Sequence, residues 1–172
     1  MSESLTLPQE LIDEMVAHAR ADNPNECCGV IVRTRSGPAA GALTLFRTVN
    51  AEDSPYRFSI PAAQLHYLFR LLEDQDADLL VVYHSHTMTE ARPSPTDANF
   101  SRLLDGPDPW PYWVLVSLAQ EPPPVRAWRM EDGGATEIAL EAGTLPPGSR
   151  CARLRLLGAA RRPQVVEEPL PS

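Results

Sequence analysis

The sequence predicts a mixed α/β fold, with a largely antiparallel central sheet flanked by helices. Two amphipathic helical patterns, which begin at Pro8 and Pro61, are separated by short apolar segments of strand length. The order of these segments mixes helices with runs of consecutive strands, as in the α+β and mixed α/β classes. The chain has 172 residues, of which 43% are hydrophobic, and this is enough for one domain with a substantial core.

Four short strands and two helices are predicted before the central strand. Proline favours the first turn of a helix, and apolar residues follow both Pro8 and Pro61 at helical spacing. Turn-forming residues at 22–25 end the first helix. The predicted elements are an edge strand at 5–7, a helix from Pro8, strands at 28–34, 43–49 and 56–60, and a helix from Pro61 to Leu72. The inward-facing residues predicted for this second helix are Leu65, Leu68, Phe69 and Leu72.

The second half is predicted to contain one helix, three strands and an extension. The helix extends to about residue 104 and is broken by the glycine and prolines of residues 106–109. The strands lie at 112–118, 125–130 and 136–140, separated by segments rich in glycine and proline. We therefore expect a domain over residues 1–142. The remaining residues, 143–172, are rich in proline and arginine, and this composition favours a mobile tail. Residues 151–157 are also compatible with a short helix or strand.

The charge distribution argues against a nucleic acid partner. All 15 basic residues are arginine and the net charge is −8, with −11 in residues 1–142 and +3 in residues 143–172. Phosphate binding needs a basic face, which an acidic body lacks. No apolar run reaches the length of a membrane span, and no basic and apolar leader opens the sequence. We therefore expect a cytoplasmic protein that uses neither nucleic acid nor membrane as a partner.

Three cysteines, two of them adjacent, do not form a disulfide framework.

Two histidines end the predicted central strand. An apolar run over 79–83 indicates a strand buried on both faces, and His84 and His86 follow it. Because side chains alternate along a strand, both imidazoles point to the same face. Such a pair supplies half of a metal site.

A carboxylate eleven residues after His86 completes this pattern. Asp97 belongs to Ser94-Pro95-Thr96-Asp97, which has the form of a helix N-cap followed by proline and an acidic residue. Taken alone, the pattern favours an ordinary cap. Together with the two histidines, it predicts three nitrogen and oxygen ligands for a zinc ion, with a water as the fourth, which is the composition of a catalytic zinc site.

The spacing His-x-His-x7-Ser-x-x-Asp resembles the JAMM motif of the MPN-plus zinc metalloproteases. That family also has an upstream glutamate on an early strand, and Glu26 stands in this place; without the motif, Glu26 is equally well explained as a solvated residue of the turn after Pro24. The resemblance implies the cytidine-deaminase-like MPN fold and one zinc ion per chain on His84, His86 and Asp97. It also implies that Glu26 is the general base and later the general acid, and that Ser94 donates a hydrogen bond to the oxyanion.

The sequences 15–20, 23–30 and 83–91 further resemble the actinobacterial Mec+ peptidase group. That resemblance implies removal of an amino acid, cysteine in that group, from the C-terminus of a small ubiquitin-like sulfur carrier protein that ends in Gly-Gly, within cysteine biosynthesis. Two alternatives stay open. An isopeptidase that releases a ubiquitin-like modifier from lysines would use the same site, and a non-catalytic MPN interaction module would lack the intact motif. A deaminase is excluded, because the sequence contains neither His-x-Glu nor Pro-Cys-x-x-Cys. No substrate-binding residue and no oligomeric state can be predicted.

Overall fold

The computed structural model describes residues 2–102, 104, 110–157 and 162–170. Helices and strands alternate in its first half, and strands dominate the second. In chain order the elements are β1 Ser4–Pro8, α1 Gln9–Asp22, β2 Cys28–Thr34, β3 Leu43–Thr48, α2 Ala62–Asp74, β4 Ala77–His86, α3 Pro95–Arg102, β5 Tyr112–Ser117, β6 Val125–Glu131, β7 Gly134–Gly143, β8 Arg150–Leu157 and β9 Arg162–Glu168.

Within the described residues, the nine strands form a single mixed sheet in the order β1-β7-β6-β5-β4-β2-β3-β8-β9. The pairs β1–β7, β4–β5 and β3–β8 are parallel, and the other pairs are antiparallel. This confirms the predicted fold class. Strand β4 is central, with β2 antiparallel on one side and β5 parallel on the other.

Each face of the sheet carries its own hydrophobic core. On one face, Val82 and Trp113 pack with Leu68 of α2 and Phe100 of α3. On the other face, Val81 and Tyr83 pack with residues of α1. Because side chains alternate along β4, the two histidines at its end lie on the same side as Val82, facing α2 and α3.

Residues 56–60 do not form the predicted strand. Phe58 and Ile60 are buried and Tyr56 is exposed, so the alternating pattern is present, but no strand of the described residues pairs with the segment. The Asn50 side chain donates to the Arg57 carbonyl and accepts from the Ser59 N–H. These bonds satisfy backbone groups that a neighbouring strand would otherwise bind.

Residues after 143 form β8 and β9, where composition favoured a mobile tail. Strand β8 pairs with β3, and Cys151, Ala152 and Leu154 are fully buried. The strand alternative for residues 151–157 is the one observed. The division of the chain at residue 142 stays a prediction.

Two smaller expectations also differ from the structure. Phe69 of α2 was predicted to face the core but is 44% exposed, while Leu68 and Leu71 are buried. Helix α3 ends at Arg102, and the predicted break at 106–109 lies outside the described residues. Among the described residues, no helix has the length and apolar character that crossing a membrane requires.

Candidate metal centre and active site

Strand β4 brings both predicted histidine ligands into a buried position. His84 is fully buried and His86 is 6% exposed. The ring of Phe58 stacks on His84 with a centroid distance of 4.3 Å, and Trp113 packs against His84 in a T-shaped arrangement with a centroid distance of 6.3 Å. Aromatic packing of this kind fixes the orientation of the His84 ring.

Helix α3 supplies the third candidate ligand, Asp97, from its first turn. The Ser94 N–H donates to Asp97 Oδ2 at 2.7 Å, and the Asp97 N–H donates to Ser94 Oγ at 3.2 Å. This is a reciprocal capping box, so the cap predicted from the sequence is present. The capping box also holds the buried Asp97 carboxylate against the two imidazoles. Asp97 therefore both caps the helix and takes part in the candidate metal site.

The three side chains have the spacing of a tetrahedral metal site. His84 Nε2 lies 3.3 Å from His86 Nε2 and 3.2 Å from Asp97 Oδ2, and His86 Nε2 lies 3.4 Å from Asp97 Oδ2. Ligand atoms about 2.0–2.1 Å from a tetrahedral zinc ion are about 3.3 Å apart. The group His84, His86 and Asp97 can therefore hold a metal ion.

The protonation states of His84 and Asp97 favour metal binding. Burial lowers the pKa of His84, in spite of the nearby Asp97 carboxylate. Burial also opposes ionisation of Asp97, but the two imidazoles and the Ser94 N–H hold its pKa well below the usual range. A neutral imidazole and an ionised carboxylate are the forms that bind metal.

A backbone carbonyl orients the second imidazole. His86 Nδ1 lies 2.7 Å from the Glu90 carbonyl oxygen, which can only accept a hydrogen bond. The Nδ1 atom therefore carries the proton and Nε2 faces Asp97 with its lone pair, as in other histidine metal sites. This bond and the Asp97 contact raise the pKa of His86 against the effect of burial.

Glu26 lies next to the metal centre through the pairing of β2 with β4. Cys28 is opposite His84 in this antiparallel pair, and the Ser85 N–H donates to the Cys27 carbonyl. Continuing the register brings Glu26 opposite His86. The Glu26 side chain is 4% exposed, and its Oε2 atom has no hydrogen-bond partner among the described residues.

The environment of Glu26 favours a protonated carboxyl group. Burial raises its pKa to about 8, with His86 opposing and Asp97 adding to the shift. An unpartnered polar atom in a buried position costs free energy, and such groups are common where a substrate or water is bound. The Asn50 side chain donates to the Glu26 carbonyl and fixes this backbone segment.

Ser94 has a hydrogen available for a further partner. Its Oγ atom accepts the Asp97 N–H, so the hydroxyl proton is not used in the cap. The side chain is partly exposed. A free hydroxyl proton is compatible with the role that the family resemblance implies for Ser94, which is to donate a hydrogen bond to the oxyanion. This role stays a prediction.

Comparison with known proteins identifies the family. Residues 8–131 match the family described as prokaryotic homologs of the JAB domain. The chain belongs to this JAB family. Membership confirms the predicted JAMM relationship and makes the protein a hydrolase of the peptidase type.

The "CysO-cysteine peptidase" of Mycobacterium tuberculosis is 39% identical over 138 residues, which cover 77% of this chain and 87% of the relative. The Mycobacterium bovis protein of the same name shows the same identity and coverage.

Solved structures support the fold of this JAB domain. A solution structure from Desulfitobacterium hafniense has a TM-score of 0.62 and 25% identity, and the match covers 84% of this chain and 96% of that chain. A solution structure from Salinibacter ruber has a TM-score of 0.50 and 23% identity over 80% of this chain and 90% of that chain.

A second polar group lies on the other side of the sheet and was not predicted. His18 Nδ1 lies 2.7 Å from the Tyr83 hydroxyl, and His18 Nε2 lies 3.2 Å from Asp22 Oδ2. Burial keeps the pKa of Tyr83 well above its usual value, so the phenol donates to Nδ1 and Nε2–H donates to Asp22. No ligand spacing in the sequence indicates this group, because the partners of His18 are Tyr83, which is distant in sequence, and Asp22 on its own helix.

The adjacent cysteines of the JAB domain are buried thiols. Burial raises the pKa of Cys28 to about 12 and that of Cys27 still further. A thiol with such a pKa is a poor metal ligand and nucleophile. Neither residue belongs to the group that can hold a metal.

Proposed function

We propose that this protein is a zinc-dependent peptidase that hydrolyses the amide bond between the C-terminal glycine of a small ubiquitin-like sulfur carrier protein and an attached cysteine. The observation that carries the proposal is the buried triangle of His84, His86 and Asp97, whose edges of 3.2–3.4 Å match a tetrahedral zinc site. The name of the mycobacterial relatives supports cysteine as the residue released and CysO as the type of carrier. We expect a Gly-Gly terminus on the carrier, a cytoplasmic reaction and a role in cysteine biosynthesis.

His84, His86 and Asp97 would hold one zinc ion with a water as fourth ligand, and the ion would supply Lewis acidity and lower the pKa of that water to about 7. The positive charge of a bound zinc ion would lower the raised pKa of the neighbouring Glu26, so that its carboxylate could take a proton from the attacking water and give it to the departing amine. The unpartnered Glu26 Oε2 atom supports this role, because it is free to bind the water or the amine. The Ser94 hydroxyl donates a hydrogen bond to the oxygen of the scissile carbonyl as it becomes negative.

An isopeptidase that releases a carrier protein from lysine side chains is the alternative. The same five residues would serve that reaction, because the bond broken is also an amide. The printed name of the relatives favours cysteine as the leaving residue. A purely structural module is disfavoured, because the metal-binding geometry is complete.

The test is a hydrolysis assay on a CysO–cysteine adduct. We expect the zinc-loaded protein to release cysteine, as measured by the mass of the carrier before and after incubation.

The double variant His84→Ala/His86→Ala should contain no zinc and show no turnover. His66→Ala, which changes an exposed histidine of α2, is the matched control and should behave as the wild type. Full zinc occupancy in the double variant would refute the ligand assignment, and release only from lysine-linked carrier would favour the isopeptidase.

A further inference from the structure

The loop of residues 87–94 leads from the histidines at the end of β4 to the cap of α3. Three successive backbone carbonyls of this loop accept hydrogen bonds from side chains of three neighbouring strands. The bonds run from Ser117 Oγ to Thr89 at 2.5 Å, from His86 Nδ1 to Glu90 at 2.7 Å and from Trp128 Nε1 to Ala91 at 3.0 Å. The central bond therefore reaches a candidate metal ligand, and the other two flank it.

The two flanking donors are fixed in the sheet. Ser117 is fully buried and lies opposite His86 in the parallel pair of β4 and β5. Its oxygen also accepts the Ala119 N–H at 3.2 Å, which leaves the hydroxyl proton for the loop. Trp128 of β6 is 2% exposed and belongs to the core on the same face of the sheet as the two histidines. Both donors can therefore hold the loop in place.

The ring of Trp128 makes further contacts beside the loop. The guanidinium carbon of Arg92, a loop residue, lies 5.7 Å from the centroid of this ring, and that of Arg126 lies 4.9 Å away. Arg126 also lies 3.6 Å from a carboxylate oxygen of Glu90. Because cations are attracted to an aromatic face, these contacts also attach the loop to β6.

The flanking hydrogen bonds restrict the peptide group that faces His86. A peptide unit is planar, so it turns only through the soft φ and ψ dihedrals on either side of it. The Thr89 and Ala91 carbonyls belong to the units immediately before and after that of Glu90. Holding both of these units leaves the Glu90 carbonyl little freedom to turn away from His86 Nδ1.

This carbonyl matters because the other histidine has no equivalent partner. Among the described residues, His84 Nδ1 is buried without a hydrogen-bond partner, and packing against Phe58 and Trp113 orients its ring. For His86, the Glu90 carbonyl sets both the tautomer and the ring orientation. Loss of a partner of this kind typically weakens metal binding by about 10–100-fold.

We propose that Ser117 and Trp128 are positioning residues for the candidate metal centre. By holding the carbonyls on either side of Glu90, they keep the His86 ring in the tautomer and orientation that present Nε2 to a metal ion. This inference rests on the zinc site of the proposed function, but it does not depend on which amide is cleaved.

The test measures zinc affinity by competition with a chelator of known affinity. The double variant Ser117→Ala/Trp128→Phe removes both donors and keeps an aromatic ring in the core. It should bind zinc about tenfold more weakly than wild type or worse, and each single variant should show part of this loss. Ser117→Thr keeps the hydroxyl donor and should stay within about twofold of wild type.

Met130→Ala is the structural control. Met130 is buried on the same strand and in the same core as Trp128, but it donates no hydrogen bond to the loop. Its truncation lowers stability and should leave zinc affinity within about twofold of wild type, because the partner of His86 is unchanged.

A second readout follows the His86 ring without metal. Nitrogen NMR of the neutral imidazole distinguishes a proton on Nδ1 from a proton on Nε2. Metal-free wild type should show the Nδ1–H form, and the double variant should show a mixture of the two forms. Ser117→Thr and Met130→Ala should keep the wild-type spectrum.

The positioning role and the zinc site fail in different ways. Wild-type zinc affinity or a wild-type tautomer in the double variant, or an equal loss of affinity in Met130→Ala, would overturn the positioning role and leave the zinc site standing. If the double variant does not fold, Ser117→Ala decides alone. A loss of affinity that Ser117→Thr does not share supports the role, and wild-type affinity or an equal loss in Ser117→Thr overturns it.

Wild type that binds no zinc would refute the proposed function instead. The positioning role is then judged from the nitrogen spectra of the metal-free protein. A mixture of tautomers in the double variant supports the role, and an unchanged spectrum overturns it.

Discussion

At the scale of single residues, Glu26 should separate proton transfer from metal binding. Glu26→Gln keeps the size of the side chain and removes the proton acceptor. Because the ligand triangle does not include Glu26, zinc content should be unchanged, while kcat should fall by about a hundredfold or more. Metal analysis and the carrier assay measure the two quantities. Glu73→Gln, on an exposed part of α2, is the control, and loss of zinc from Glu26→Gln would make Glu26 a ligand.

His18 should make stability depend on pH. Burial lowers its pKa below the usual 6.5, with Asp22 opposing this effect and Arg47 and Arg153 adding to it. Because the pKa is lower in the folded than in the unfolded state, the stabilisation is complete above about pH 6.5 and is lost as the pH falls. His18→Gln can still bond Tyr83 and Asp22 but does not titrate.

Urea unfolding between pH 7.5 and 5.5 measures this contribution. The free energy of unfolding of wild type should fall more steeply toward low pH than that of His18→Gln, by up to about 1.4 kcal/mol per pH unit. His66→Gln removes an exposed histidine and should keep the wild-type slope. Identical slopes in wild type and His18→Gln would show that His18 does not titrate differently on unfolding.

The candidate site residues that can be found from the sequence alone are those that belong to a short-range pattern. His84 and His86 follow from strand alternation, and Ser94 and Asp97 follow from the signature of a helix cap. Glu26 reaches the site only through the register of β2 with β4, so its place was predicted from family resemblance. The pairing of β8 with β3 is likewise a long-range contact that no local pattern indicates.

At the scale of elements, β8 should be part of the core. Leu154 is fully buried and packs in the same hydrophobic core as Val82 and Trp113. Leu154→Ala should therefore lower the free energy of unfolding by about 2–5 kcal/mol. Gln164→Ala, at an exposed position of β9, is the matched control and should be nearly neutral. A change below about 0.5 kcal/mol for Leu154→Ala would mean that residues after 143 behave as the tail that composition favoured.

The predicted elements failed where pairing over long distances decides the structure. Both main helices and the strands from β2 to β7 have strong periodicity, and the prediction placed them within a few residues. Residues 56–60 alternate like a strand, but Asn50 binds their backbone and no neighbouring strand is available. Strand β8 contains three arginines, two of which bond to glutamates near the end of β9, and this polar composition concealed its place in the sheet.

At the scale of the whole molecule, the rim of the metal site offers a surface for a folded partner. Tyr56 is 74% exposed and Met88 is 61% exposed. A hydrogen bond from Thr87 Oγ1 to the Pro55 carbonyl, 3.0 Å long, joins the two segments beside His86. A contiguous exposed apolar patch commonly marks contact with another protein, and we expect Tyr56 and Met88, the sequence neighbours of Pro55 and Thr87, to form such a patch.

We therefore expect the folded body of the carrier to contribute much of the binding free energy. A Gly-Gly tail approaches the backbone closely because it has no side chains, but it offers few contacts of its own. A peptide of about ten residues, which spans the site as an extended strand, should be hydrolysed at least about tenfold more slowly than the whole adduct at equal concentration. Mass spectrometry of both substrates gives the two rates. Carrier protein without attached cysteine should inhibit the reaction of the adduct, whereas equal rates for peptide and adduct would show that the body of the carrier is not recognised.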